Sequence, residues 1–219
     1  MAATVGVIRV LTTEDPEFLA AHGRIIERQF GLTTINRCIP DQWKGIYDDE
    51  TELIAVPKII HLGKELAKEG VDAIVVSCAA DPAVSELRAE LKIPVIGAGS
   101  AASAVALSLA DRVGVLNLTE TAPGPVRRIL GDRFVGEDAP EGVQNSPQLL
   151  TDWGQRAAVE AARRLAEFGA GALVLACTGY GTIGMADTLR KELGMVAVDP
   201  VVAAGLITSY AVRGSGPAS

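Results

Sequence analysis

Apolar and polar positions along the chain alternate between two patterns. Short unbroken apolar runs read as strands buried on both faces of a parallel sheet. Longer stretches with apolar residues every three or four positions read as helices packed on it. Val5 to Val10 is the first strand. After the loop Leu11 to Pro16, with Asp15 ahead of Pro16 as its start signal, a helix is expected through about Gln29. Leu32 to Ile39 reads as a second strand. Asp41 to Glu50, with Trp43 and Tyr47, fits neither period, and a loop of this kind is more often functional than idle. It reads either as a lid over a site or as a rigid surface crossing. Helical spacing returns over Thr51 to Glu69.

Two apolar runs then match without a gap. Gly70-Val-Asp-Ala-Ile-Val-Val-Ser-Cys78 and Gly169-Ala-Gly-Ala-Leu-Val-Leu-Ala-Cys177 each end at a cysteine. Small residues follow each thiol, then an amphipathic helix (Pro82 to Leu91; Thr182 to Leu193) and a short strand (Ile93 to Ile96; Met195 to Val198). The repeat extends upstream, since Arg112 to Thr121 restarts the Val-Gly-Val pattern of Val5 to Val7. Further helices are expected over Gly99 to Ala110, Pro125 to Leu130, Gln148 to Glu167 and Pro200 to Tyr210. A short strand falls at Phe134-Val135, and a loop rich in Gly and Pro at Asp138 to Pro147. The chain therefore reads as an α/β protein of two pseudo-symmetric halves, each a parallel sheet flanked by helices. The first half covers 1–99, with the last helix, 200–211, packing back on it, and the second covers 112–199. Ligands bind outside the carboxyl ends of parallel strands, so the expected site is the cleft between the halves, where Cys78 and Cys177 would face each other.

Composition narrows the partners. The 219 residues are 48% hydrophobic but only 4% aromatic, so aliphatic side chains and alanine fill the interior. A net charge of −7 argues against nucleic acid or an anionic membrane. The amino terminus enters a strand at once, so neither a signal peptide nor a transmembrane segment is expected. Three widely spaced cysteines make no disulfide framework, and the chain reads as cytoplasmic and reduced.

A thiol between a strand end and a helix start meets unpaired amides that favour the thiolate. The same amides can cradle a carboxylate or enolate oxygen. Ala79 and Ala80 after one thiol, and Thr178 and Gly179 after the other, leave room for a substrate. Thr178 and Thr119 offer hydroxyls to its anion. Ser77 and Glu120 complete the candidate binding set, and Arg9 and Arg37 are candidates for a distal anionic group. One thiol on each face of a planar intermediate suits inversion of a carbon beside a carbonyl, without metal or organic cofactor. No GxGxxG, Walker loop or metal-spaced cluster is present. Cys38 reads as structural, and His22 and His61 as surface or helix-packing residues.

At these motifs the sequence resembles the aspartate/glutamate/hydantoin racemase superfamily, over nearly its whole length. Cys78-Ala-Ala-Asp81-Pro82 is similar to the Cys-x-x-Asp-Pro of the hydantoin racemase branch, and Ile93 to Gly97 to the strand that follows it. Cys177-Thr-Gly179 is similar to the family's second cysteine with its nearby glycine. The resemblance implies a cofactor-independent racemase of a hydantoin or an amino acid such as aspartate or glutamate, with Cys78 and Cys177 as the acid/base pair. It also implies a homodimer or higher homo-oligomer. A cis–trans isomerase or decarboxylase of small diacids on the same scaffold, or a non-catalytic sensor of a small acid, stays open.

Overall fold

The computed structural model describes residues 2–118 and 121–213. The chain falls into two compact units. One holds the described residues up to Ala98 and those from Ala204 onward; the other is Gly99–Ala203. Each contains a four-stranded, wholly parallel sheet.

In the first unit the strands are β1 (Thr4–Arg9), β2 (Thr33–Cys38), β3 (Ala73–Ser77) and β4 (Val95–Gly97), in the order β2-β1-β3-β4. Helix α1 (Pro16–Phe30) connects β1 to β2. Asp15 caps it, accepting hydrogen bonds from the Glu17 and Phe18 amides, and Gly31 closes it with a left-handed φ of 62°. Helix α2 (Asp49–Lys68) starts two residues before the expected Thr51. The reason is a capping box, in which Asp48 and Thr51 bond each other's backbone amides. Helix α3 (Val84–Glu90) links β3 to β4.

The second unit repeats this plan. After α4 (Ala98–Leu107) come β5 (Val113–Leu116), α5 (Gly124–Leu130), β6 (Phe134–Asp138), α6 (Ser146–Leu149), α7 (Asp152–Glu167), β7 (Ala172–Leu175), α8 (Gly179–Thr182), α9 (Met185–Leu193), β8 (Val196–Val198) and α10 (Pro200–Arg213). The strand order is β6-β5-β7-β8, that of the first sheet with each strand replaced by its counterpart. Even the registers agree: Gly6 pairs with Ile74, and Gly114 with Leu173. Both glycines lie where a side chain would be crowded. A Cβ on Gly6 would lie 3.0 Å from the Leu66 side chain of α2, and one on Gly114 would lie 2.9 Å from Leu173 and 3.5 Å from Leu165 of α7. At Gly6 the bare backbone lets α2 settle onto its sheet, and at Gly114 it makes room for the Leu173 side chain of β7.

Several boundaries differ from the sequence reading. The helix expected over 148–167 is two, because Thr151 turns its hydroxyl to the Gly154 amide and caps a new helix there. The strand at Phe134 runs on to Asp138. Ala204 onward groups with the first unit: Arg213 donates to the Phe30 carbonyl, and Gly205 packs against Phe30 and Ile26 of α1. No helix among the described residues is long and apolar enough to cross a membrane.

Candidate active site

Both matched cysteines stand just past the carboxyl end of a strand that is third in its sheet's order, and both are half-buried. Cys78 directly follows β3. Its amide bonds back to the Val76 carbonyl at 3.0 Å, a tight turn centred on Ser77, and its carbonyl accepts from the Asp81 amide at 3.1 Å. The helix that follows the thiol starts two residues later than the expected Pro82. Asp81 and Ala83 hold left-handed φ values of 54° and 60°, and these two residues swing the chain before α3 begins at Val84. Side chains held in that region store strain, which concentrates at functional sites. Ala79 is buried beside the thiol and Ala80 half-buried.

Cys177 lies two residues past β7. Its Sγ accepts from the Gly179 amide at 3.4 Å and stands 3.8 Å from Ser146 Oγ, delivered by the first residue of α6. The turn beyond is held by Tyr180. Its amide donates to the Cys177 carbonyl, and its fully buried phenol donates to the Asn117 carbonyl at 2.6 Å. Burial pushes the Tyr180 phenol well above its ordinary pKa, and the nearby Cys177 and Asp138 charges add to the effect. It therefore stays a neutral donor.

An exchange of parts relates the two thiol turns. In the first unit Asp81, three residues after the thiol, lies over Gly97 at the end of β4, where a Cβ would fall 2.3 Å from the carboxyl carbon. In the second the glycine is in the thiol turn and the carboxylate at the strand end. A Cβ on Gly181 would lie 2.9 Å from both oxygens of Asp199, which follows β8. Asp199 also accepts from the Val201 and Val202 amides, capping α10. Its pKa is raised by burial, against the pull of those two bonds.

The other expected residues are placed as follows. Arg9 is buried, its guanidinium donating to the Phe18 carbonyl at 2.6 Å and the Leu19 carbonyl at 3.4 Å and lying over the Phe18 ring. It is turned to α1, not toward solvent. Ser77 is buried and paired with His22. Thr178 is half-buried next to Cys177. Thr119 and Glu120 lie outside the described residues. Arg37 forms a surface pair with Glu69 at 2.8 Å, and Cys38 donates to the Thr13 carbonyl. His61 is exposed beside Glu65, whereas His22 is fully buried, away from the surface. The 41–50 segment is tied down at its start: Gln42 bonds to Thr12, Gly45 and Thr51, and Lys58 to the Pro40 and Asp41 carbonyls. Trp43 nevertheless remains 63% exposed. Ser146, Tyr180 and His22 are the neighbours that pattern reading missed. Among the described residues, no group of three or more His, Cys, Asp or Glu side chains is placed to hold a metal ion.

The model of the Asp/Glu/Hydantoin racemase family matches residues 27–205, which take in both thiol turns. The chain belongs to that family. Among curated relatives of this racemase-family chain, the hydantoin racemase of Pseudomonas sp. (strain NS671) is 28% identical over 171 residues, or 75% of this chain and 66% of the relative. The hydantoin racemase of Rhizobium meliloti is 30% identical over 166 residues, 70% of this chain and 65% of the relative. The chain thus spans just under two thirds of the length of each. Among solved structures, allantoin racemase from Klebsiella pneumoniae superposes with a TM-score of 0.78 at 24% identity, covering 94% of this chain and 86% of the other. That likeness concerns the fold: two parallel α/β sheets, each flanked by helices.

Proposed function

We propose that this chain is a cofactor-independent racemase acting on a 5-substituted hydantoin, with Cys78 and Cys177 as its paired acid and base. The observation that carries the reading is the setting of Cys177. An amide and a hydroxyl stand at one sulfur, at 3.4 Å and 3.8 Å. Donors at a sulfur suit it to bear negative charge, the form that removes a proton. The repetition of the strand-and-thiol turn around Cys78 supplies the second group, and the names of the curated relatives support the hydantoin.

The chemistry needs the two sulfurs on opposite faces of the substrate. One thiolate takes the proton from the carbon beside the carbonyl. The C–H electron pair passes into that carbonyl as an enolate. The opposite thiol then gives its proton to the other face, and the two sulfurs end with their roles exchanged. A hydantoin ring helps because its carbonyl is already coplanar with the forming enolate. The thiols must stay reduced for this, as a reducing compartment would keep them.

Proton exchange in heavy water tests the proposal. Single enantiomers of 5-substituted hydantoins, aspartate and glutamate are followed by NMR and polarimetry, with Cys78→Ser and Cys177→Ser alongside. Deuterium entering a hydantoin with loss of optical rotation is expected. Each substitution should slow racemisation by at least about a hundredfold, the lower end for a positioned proton-transfer group. Exchange only in an amino acid would move the substrate class. Exchange in no compound, with both thiols still open to alkylation, would end the reading.

A further inference from the structure

His22 is a fully buried titratable side chain that the proposed chemistry leaves unused. It sits mid-way along α1 at 0% exposure, with Nδ1 2.7 Å from Ser77 Oγ. Ser77 is itself 3% exposed. Ser77 is also the central residue of the tight turn in which the Cys78 amide returns to the Val76 carbonyl. The direction in which Cys78 leaves the strand is therefore set at Ser77.

The same helix is tied a second time to the same sheet edge. Arg9, which pairs with Ser77 in the register of β1 and β3, donates to the Phe18 and Leu19 carbonyls, one turn of α1 before His22. Burying an imidazole, a hydroxyl and a guanidinium together costs stability unless each is bonded, so such groups mark a place where direction matters. At the matching place in the second unit no such pair stands among the described residues. Ala176 stands where Ser77 would be, and Tyr180 holds that turn through its bonds to the Cys177 and Asn117 carbonyls. The two thiol turns are braced by different means.

We propose that His22 is a positioning residue for the first thiol: acting through Ser77, it fixes the turn that aims the Cys78 sulfur. The inference rests on Cys78 being one of the two reacting thiols, but its test needs no turnover. Intact protein is alkylated with iodoacetamide, and the modification of Cys38, Cys78 and Cys177 is timed separately by peptide mass spectrometry. His22→Leu and Ser77→Ala should each make the Cys78 rate depart by about fivefold or more, the scale of one buried hydrogen bond. Cys38, in the same unit, and Cys177 should stay within about twofold. His22→Asn should restore the wild-type rate, because its amide nitrogen or oxygen stands where Nδ1 stands. Combining His22→Leu with Ser77→Ala should add nothing further.

Parallel changes at Cys38 and Cys78 would mean a loosened unit and would overturn the proposal. So would an unchanged Cys78 rate in folded His22→Leu, or equal behaviour of the Leu and Asn variants. Should His22→Leu not fold, Ser77→Ala, which removes one oxygen, decides alone. Changed Cys78 reactivity without any hydantoin exchange would keep this inference and end the racemase reading. Exchange with unchanged reactivity would do the reverse.

Discussion

Replacing Tyr180 by phenylalanine removes one oxygen from the interior of the second unit and leaves the ring in place. The phenol donates at 2.6 Å to the Asn117 carbonyl, and Asn117 is 1% exposed, so water has no ready access to the orphaned acceptor. Stranding a buried carbonyl costs about 1–3 kcal/mol, and the lost hydroxyl leaves little empty volume. A destabilisation of about 1–2 kcal/mol is expected at neutral pH. For a chain of this size that is about 3–6 °C in melting temperature. Urea titrations followed by circular dichroism should show it as a lower midpoint with an unchanged slope. The pH dependence carries the sign. Burial holds the folded phenol well above its ordinary value, so folding favours the neutral form. That contribution is complete below about pH 10, where the unfolded phenol is still protonated, and is lost as pH rises toward the folded value. The gap between wild type and Tyr180→Phe should therefore narrow above about pH 10, by up to about 1.4 kcal/mol per pH unit. Equal midpoints at pH 7, or a gap that stays constant past pH 11, would refute the reasoning.

Two further substitutions probe the carboxylates over the thiol turns. Asp199→Asn keeps an acceptor for the Val201 and Val202 amides and removes a charge that burial disfavours. Because the folded pKa is raised, the wild type loses stability as pH climbs from the ordinary carboxylate range through the folded value. The Asn variant should therefore match or exceed it at pH 7 and fall behind in acid; a variant weaker at every pH would contradict this. Gly97→Ala drives a methyl group to 2.3 Å from the Asp81 carboxyl carbon, and overpacking of this kind costs about 1–3 kcal/mol. Denaturant midpoints measure that cost, and an unchanged midpoint would show that Asp81 moves aside without penalty.

Much of the scaffold was readable in the order of residues. The unbroken runs ending at Cys78 and Cys177 are what strands without a wet face must look like, and Asp15-Pro16 announces α1 through its cap. Breaks set by a single side chain were less visible. Leu149 and Leu150 continue the apolar spacing straight through the point where Thr151 starts a new helix. Hardest to read were partners supplied by another element. Ser146 is brought to Cys177 by a separate helical turn, and His22 reaches Ser77 across 55 positions. Periodicity says which face of a helix is buried, not which residue it is buried against. A histidine on an inward face reads like any other packing residue until its neighbour is known.

The traded places of Asp81 with Gly97 and of Asp199 with Gly181 limit how this gene could be recombined. Each half carries a matched pair, so either could be copied whole. A crossover between a thiol turn and its own edge strand would not be tolerated alike. Joining the Asp81 turn to the strand that ends at Asp199 would press two carboxylates into one small space. Joining the Gly181 turn to the strand that ends at Gly97 would leave that space with neither. Splice points that preserve a folded chain should therefore lie outside the segments 78–97 and 177–199, and a library of shuffled homologues should be depleted of junctions within them.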